Sequence, residues 1–116
     1  MILPKKTGDR GESFAVDFLH ANGYEVLARN YRFGRGEIDI IARQDNTLIF
    51  LEVKTRKNIA FGYPETFVSE PQKERIYAAA EAYVKAADWA GALRFDIIAI
   101  VWDGRQPVID HFEDAF

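Results

Sequence analysis

Two strand-like segments, Gly36-Glu37-Ile38-Asp39-Ile40-Ile41 and Leu48-Ile49-Phe50-Leu51-Glu52-Val53-Lys54-Thr55-Arg56, set charges into stretches that otherwise read as buried strands. A charge in such a place costs folding energy unless it is paired or used, so the segments point to a site. Side chains alternate along a strand, which puts Glu37, Asp39 and Ile41 on one side of the first segment and Phe50, Glu52, Lys54 and Arg56 on one side of the second. Ile38, Ile40, Leu51 and Val53 are then expected to face the core. A two-residue turn at Asp45-Asn46 pairs Gln44 with Thr47 and, counted outward, sets Asp39 across from Glu52 and Glu37 across from Lys54. Facing carboxylates repel unless a cation lies between them, and hard divalent ions such as Mg²⁺ favour carboxylate oxygens. The competing reading is a cross-strand salt-bridge ladder on a solvated sheet face.

The rest of the chain supplies a frame for these strands. Residues 7–22 carry Phe14, Ala15, Phe18 and Leu19 at helical spacing, with Thr7 or Asp9 as N-cap and Gly23 placed to close the helix. Tyr24 to Tyr31 is rich in strand formers, and Arg32 to Gly36 reads as a turn. Lys57 to Thr66 has neither period and contains Gly62 and Pro64, so a long loop is expected there; Phe61, Tyr63 and Phe67 are its candidate contact surface. Ser69-Glu70-Pro71-Gln72 is a capping-box signature opening a second helix to about Ala87, with Ile76, Ala80, Tyr83, Val84 and Ala87 along one face. Phe95 to Trp102 is an apolar strand, Asp103-Gly104 a hairpin turn, and Pro107-Val108-Ile109 an edge strand. The order is αβββαββ, an α/β (α+β) arrangement with a central mixed five-stranded sheet flanked by helices.

At 116 residues the chain is the size of one domain, residues 1–116. Nearly half of it is hydrophobic, without an apolar run long enough to span a bilayer, so no membrane association is expected. It has no cysteine and no apolar signal segment behind Lys5 and Lys6, which excludes thiolate zinc sites and makes a cytoplasmic location the expectation. The net charge of −3 hides an asymmetry: residues 1–60 carry ten Lys/Arg against eight Asp/Glu, and residues 61–116 five against ten. Arg29, Arg32, Arg35, Arg43, Arg56 and Lys57 would therefore set the field near the carboxylates, and an acidic whole does not exclude a nucleic-acid partner. His20 and His111 have no partner at ligand or nucleophile-base spacing, and there is no Gly-rich phosphate loop.

Taken together, Gly8, Gly11 and Glu12 of a Gly-x-x-Gly-Glu helix, then Gly-Glu-Ile-Asp, then Phe-Leu-Glu-Val-Lys-Thr-Arg resemble the PD-(D/E)xK nuclease superfamily. With Ala28-Arg29-Asn30-Tyr31-Arg32, Phe61-Gly62, Lys73 and Arg94-Phe95-Asp96, the resemblance narrows to the YraN-like bacterial family, similar to archaeal Holliday-junction resolvases. It covers nearly the whole chain, with Ile38 standing where the superfamily's name has proline. It implies a restriction-endonuclease-like fold and a Mg²⁺- or Mn²⁺-dependent endonuclease acting on DNA rather than RNA, branched or single-stranded, as a homodimer. By the same resemblance Asp39, Glu52 and Glu12 become metal ligands, the Val53 carbonyl a further one, and Lys54 the group that orients water or steadies phosphate charge. Glu37 is then expected to hold Lys54 or pair with Arg35, and Arg29, Arg32, Arg35, Arg56, Lys57 and Lys73 to contact nucleic acid, with Tyr77 beside Lys73. Two plainer readings stand beside these: an acid in a first helical turn is favoured by the dipole alone, and surface arginines are usually only solvated. The alternative function is a nucleic-acid-binding or protein-interaction module of the same fold without turnover.

Overall fold

The computed structural model describes residues 7–57 and 68–116 of the chain. Helix α1 (Thr7–Ala21) is followed by strands β1 (Glu25–Phe33), β2 (Gly36–Gln44) and β3 (Thr47–Arg56), helix α2 (Glu70–Ala87), and strands β4 (Ala92–Val101) and β5 (Val108–Phe112). The strands form one sheet in the order β1-β2-β3-β4-β5. Neighbours run antiparallel except β3 and β4, which are parallel and joined by the crossover through α2. The expected order and mixed sheet are thus present, with every strand longer than the sequence pattern suggested.

The helix ends follow the local chemistry. Gly23 takes a φ of +84°, open to glycine, and closes α1 with its N–H on the His20 carbonyl. Ser69 caps α2, its Oγ accepting the Gln72 N–H at 3.2 Å, and Asp88 in left-handed conformation ends it. The capping expected of Thr7 or Asp9 rests on side chains outside those described, and residues 58–67, which hold most of the expected Lys57–Thr66 loop and its Phe61, Tyr63 and Phe67, lie outside them too.

Each face of the sheet buries its own core. Ala15 and Leu19 of α1 pack with Ile40, Ala42, Ile49, Leu51, Ile98 and Ile100, while Ile76, Ala79 and Ala80 of α2 pack with Ile38, Ile41, Leu48 and Phe50 on the other face. This corrects the one-faced reading: Ile41 and Phe50 are core as well as Ile40 and Leu51, because a helix covers both sides. Ile38 also leaves strict alternation and joins the α2 side, beyond the last β2–β3 pairing at Ile40–Leu51, where β2 continues against β1 through Tyr31–Ile38. A bulge between Val26 and Ala28 shifts β1 by one residue.

The expected tight hairpin at Asp103-Gly104 is a longer connection, residues 102–107, between β4 and β5. Trp102 Nε1 donates to the Arg105 carbonyl at 2.9 Å and Arg105 N–H to Asp103 Oδ1 at 3.1 Å, so the turn residues organise a wider loop. Strand β5 lies at the sheet edge, as its proline suggested, and extends to Phe112.

Candidate active site

The β2–β3 ladder has the register deduced from Asp45-Asn46: Gln44 pairs with Thr47 and the pairing runs to Ile40–Leu51. Asp45 adopts a φ of +54°, as a two-residue hairpin turn requires. One step outward the pattern changes. Asp39 Oδ2 accepts the N–H of Val53 at 2.8 Å, so a side-chain oxygen stands in for a strand carbonyl at the point where the two strands part. The parting opens a cavity of about 190 Å³ lined by Arg35, Gly36, Glu37, Asp39, Glu52, Gln72, Arg75 and Ile76. Its walls are the β1–β2 turn, β2, β3 and the first turns of α2.

Glu52 is only 6 % exposed, on the central strand of the sheet. Its Oε2 accepts a 2.6 Å hydrogen bond from Gln72 Nε2 and lies 3.8 Å from Lys54 Nζ. Burial, then the facing charge of Asp39 and a hydrogen bond with it, push the Glu52 carboxyl up to about 8, against the smaller pull of Lys54. Burial also raises Asp39 above its ordinary value, partly offset by the Val53 N–H and by Glu52. Burial beside Asp39 therefore favours the protonated form of Glu52, and a cation entering the pair would have to displace that proton.

Glu37 lines the same cavity but gives its Oε2 to Arg32 Nε at 2.8 Å. That corrects the expected pairing with Lys54 or Arg35: Arg32 and Glu37 are cross-strand partners in the β1–β2 ladder and meet directly. Glu12 stands 3.9 Å from Arg29 and is not among the residues lining the cavity. Its helix is held close to β3 at Gly11, where an added Cβ would collide with the Thr55 side chain. Among the described residues no group of three or more His, Asp or Glu side chains is placed to hold a metal ion. The donor set the fold brings together is the pair Asp39 and Glu52, which suits a hard divalent cation that completes its shell with water.

Three of the six expected cations pair with carboxylates of the protein. Arg29 pairs with Glu12, Arg32 with Glu37, and Lys73 with Glu70 at 3.6 Å. Arg56 Nη1 donates to the Thr55 carbonyl, and Lys57 is exposed at the end of β3. Arg35 reaches the cavity. Tyr77 stands edge-on to Phe95 with centroids 4.9 Å apart and stacks on Phe116, so part of its ring joins an aromatic cluster while the residue stays exposed.

Three features escaped the sequence reading. Gln72 was visible only as the last residue of a capping box, but its side chain crosses to Glu52 in place of returning to the cap. Arg75 lines the cavity one turn further along α2. His111 does have a partner: its Nε2 is 2.7 Å from Asp96 Oδ2, because β4 and β5 pair antiparallel and bring together residues that spacing leaves apart. Asp96, fully buried, also accepts two bonds from Arg94 Nε, one from Arg94 Nη2 and one from the Asp114 N–H, while Arg94 Nη2 donates to the Tyr24 hydroxyl at 2.9 Å. Burial alone would raise the Asp96 carboxyl, and His111, Arg94 and the Asp114 amide together bring it below its ordinary value.

A mixed five-stranded sheet with a helix on each face and a pair of carboxyls beside a lysine defines an α+β domain with an acidic site at a strand fork. The chain belongs to UPF0102, described as an uncharacterised protein family, whose model matches residues 11–100. It is 43 % identical over 116 residues to a UPF0102 protein of Christiangramia forsetii, covering all of this chain and 98 % of the relative. A UPF0102 protein of Dictyoglomus turgidum is 46 % identical across 97 % of this chain and 98 % of its own length, and one of Geotalea daltonii 47 % identical across 97 % and 90 %. The YraN-like family expectation is met at this level. Among the described residues no helix is long and apolar enough to cross a membrane.

Proposed function

We infer that the chain is a divalent-metal-dependent endonuclease that hydrolyses phosphodiester bonds in DNA. The observation that carries this reading is the Asp39–Glu52 pair: two carboxyls built against each other at a strand fork, each fixed by a separate donor, with Lys54 on the same strand. A purely structural pair of acids would be an expense without return, since apolar residues of similar size would fill the space at lower cost.

In this reading Asp39 and Glu52 hold Mg²⁺ or Mn²⁺, with the Val53 carbonyl as a further oxygen and Glu12 joining only if it leaves Arg29. The ion, when bound, lowers the pKa of water and neutralises charge on phosphate oxygens. The chain's own groups do the rest. Val53 N–H and Gln72 fix the two carboxyls in place. Lys54 steadies the charge that builds on the phosphate as a water oxygen adds to phosphorus and the ester P–O bond breaks, the leaving oxygen taking a proton.

Cleavage of labelled duplex, single-stranded, flap and four-way-junction DNA in Mg²⁺ and in Mn²⁺, with Asp39→Asn purified in parallel, tests the reading. Cutting by the parent that the variant loses is the expected result. DNA bound by both proteins and cut by neither would replace it with a binding module of the same fold.

A further inference from the structure

Several cations on the elements that form the cavity already have a carboxylate, and the two that line it do not. Arg32 is held by Glu37, Lys54 by Glu52, Arg29 by Glu12 and Lys73 by Glu70. Arg35 and Arg75 line the cavity and, among the described residues, make no ion pair or side-chain hydrogen bond. The acids that could have taken them are engaged elsewhere: Asp39 with the Val53 amide, Glu52 with Gln72, Glu37 with Arg32. Two open guanidinium forks thus flank one cavity, and that fork matches the paired oxygens of a phosphate.

Their proximity is built in. Arg35 sits in the turn between β1 and β2, and Arg75 in the second turn of α2. Between them Gly36 lies against the helix backbone: a Cβ there would stand 3.0 Å from the Arg75 carbonyl carbon and closer still to its oxygen. Only glycine permits that approach, which seats the turn on α2 and sets both arginines on the rim of the acidic cavity. An ordinary solvated arginine does not need such seating.

We propose that Arg35 and Arg75 form a phosphate clamp that grips a backbone phosphodiester of the strand lying in the cavity. The clamp rests on the nuclease reading and adds to it residues that position the substrate strand from the α2 side. It works through phosphate charge, so it carries no base preference.

Binding of end-labelled DNA by fluorescence anisotropy in an Asp39→Asn background, which removes cleavage, tests the clamp across about 50 to 200 mM salt. Arg35→Ala and Arg75→Ala are each expected to weaken binding and to reduce the slope of log K against log salt by about one, with unchanged melting temperature. Arg75→Lys should recover part of the loss, keeping the charge without the fork. Oligonucleotides carrying a single neutral methylphosphonate are then scanned along the strand. At the clamped linkage the Arg75→Ala loss should vanish, since the charge it meets is gone; at other linkages it should persist. Binding as tight as the parent's in both variants, or a loss independent of the methylphosphonate position, overturns the clamp while leaving the cleavage result to stand. Absence of DNA binding by the parent overturns the clamp together with the nuclease reading.

Discussion

Gln72 Nε2 donates to Glu52 Oε2 across 2.6 Å, tying the first turn of α2 to the central strand of the sheet. The residue that would complete a capping box therefore serves a carboxyl twenty positions earlier. Ser69 alone caps the helix, and the amide sets the orientation of Glu52.

Replacing Gln72 by alanine should leave the fold standing, at a cost of about 1 kcal/mol for the lost bond. Divalent-ion affinity and cleavage should fall by about 10- to 100-fold, as for outer partners of metal-holding groups. Isothermal titration with Mn²⁺ beside a thermal melt separates the two effects, and an unchanged Mn²⁺ affinity would show that Gln72 only packs.

Stability of the metal-free protein should fall as pH rises from about 5 to 8. Glu52 is raised from 4.5 to about 8 by burial and Asp39, so in that window the folded state holds a proton that the unfolded chain has released. Stability present below the unfolded value is then lost progressively toward the folded one. A loss of about 2 kcal/mol is expected, less than the full shift would give, because the pair relaxes as it ionises. Glu52→Gln should flatten the curve, and saturating Mg²⁺ should raise the melting temperature of the parent at pH 8 but not that of Asp39→Asn. Denaturant melts across pH, with and without Mg²⁺, give the answer; a parent curve as flat as the variant's would remove the Glu52 proton from the account.

Asp96→Ala should destabilise the protein by about 3 to 5 kcal/mol, because it leaves Arg94 without its buried partner and frees the Asp114 amide. The sign of the pH effect is opposite to that of Glu52. The folded Asp96 carboxyl is lowered, so its contribution is full above the unfolded value of 3.8 and disappears as pH falls through the folded one. Acid unfolding monitored by tryptophan fluorescence should be less steep in Asp96→Asn than in the parent, and an equal steepness would place the acid-sensitive group elsewhere.

Gly36→Ala should cost about 1 to 3 kcal/mol, since the new methyl meets backbone of α2 that has no side-chain freedom to move away. Gly34→Ala, where φ is +57° and nothing lies within 4 Å, carries only a backbone penalty of about 1 kcal/mol. Urea midpoints of the two variants should rank in that order, and the reverse ranking would mean that the turn is not seated on the helix.

Much of the carboxylate site was legible because a period-two pattern and one short turn fix it. Asp45-Asn46 sets the register, and the register carries Asp39 and Glu52 to the fork just beyond the Ile40–Leu51 pair. The Ser69 cap and Gly23 were equally readable, being local. What the pattern could not tell was which apolar residues lie inside. Ile38, Ile40, Ile41, Phe50 and Leu51 are all buried, and alternation is uninformative when both faces of a strand are covered. Nor does spacing show a contact made across the sheet or over a crossover: Gln72 on Glu52, His111 on Asp96, Tyr77 on Phe95. Each depends on how β3, β4, β5 and α2 are laid beside one another, which residues far apart in sequence decide.

Strand β3 is third of five, paired with β2 as far as Leu51 and with β4 from Thr47 to Arg56. The outer strands β1 and β5 can fray, but the backbone carrying Glu52, Val53 and Lys54 stays laddered to β4 beyond the fork, and the Val53 N–H ties it to Asp39. The main chains that carry the two acids are thus fixed beside each other, and only the side chains can turn away. Their mutual repulsion, once both ionise, becomes a standing load on the native state, which the cation proposed for this site would relieve.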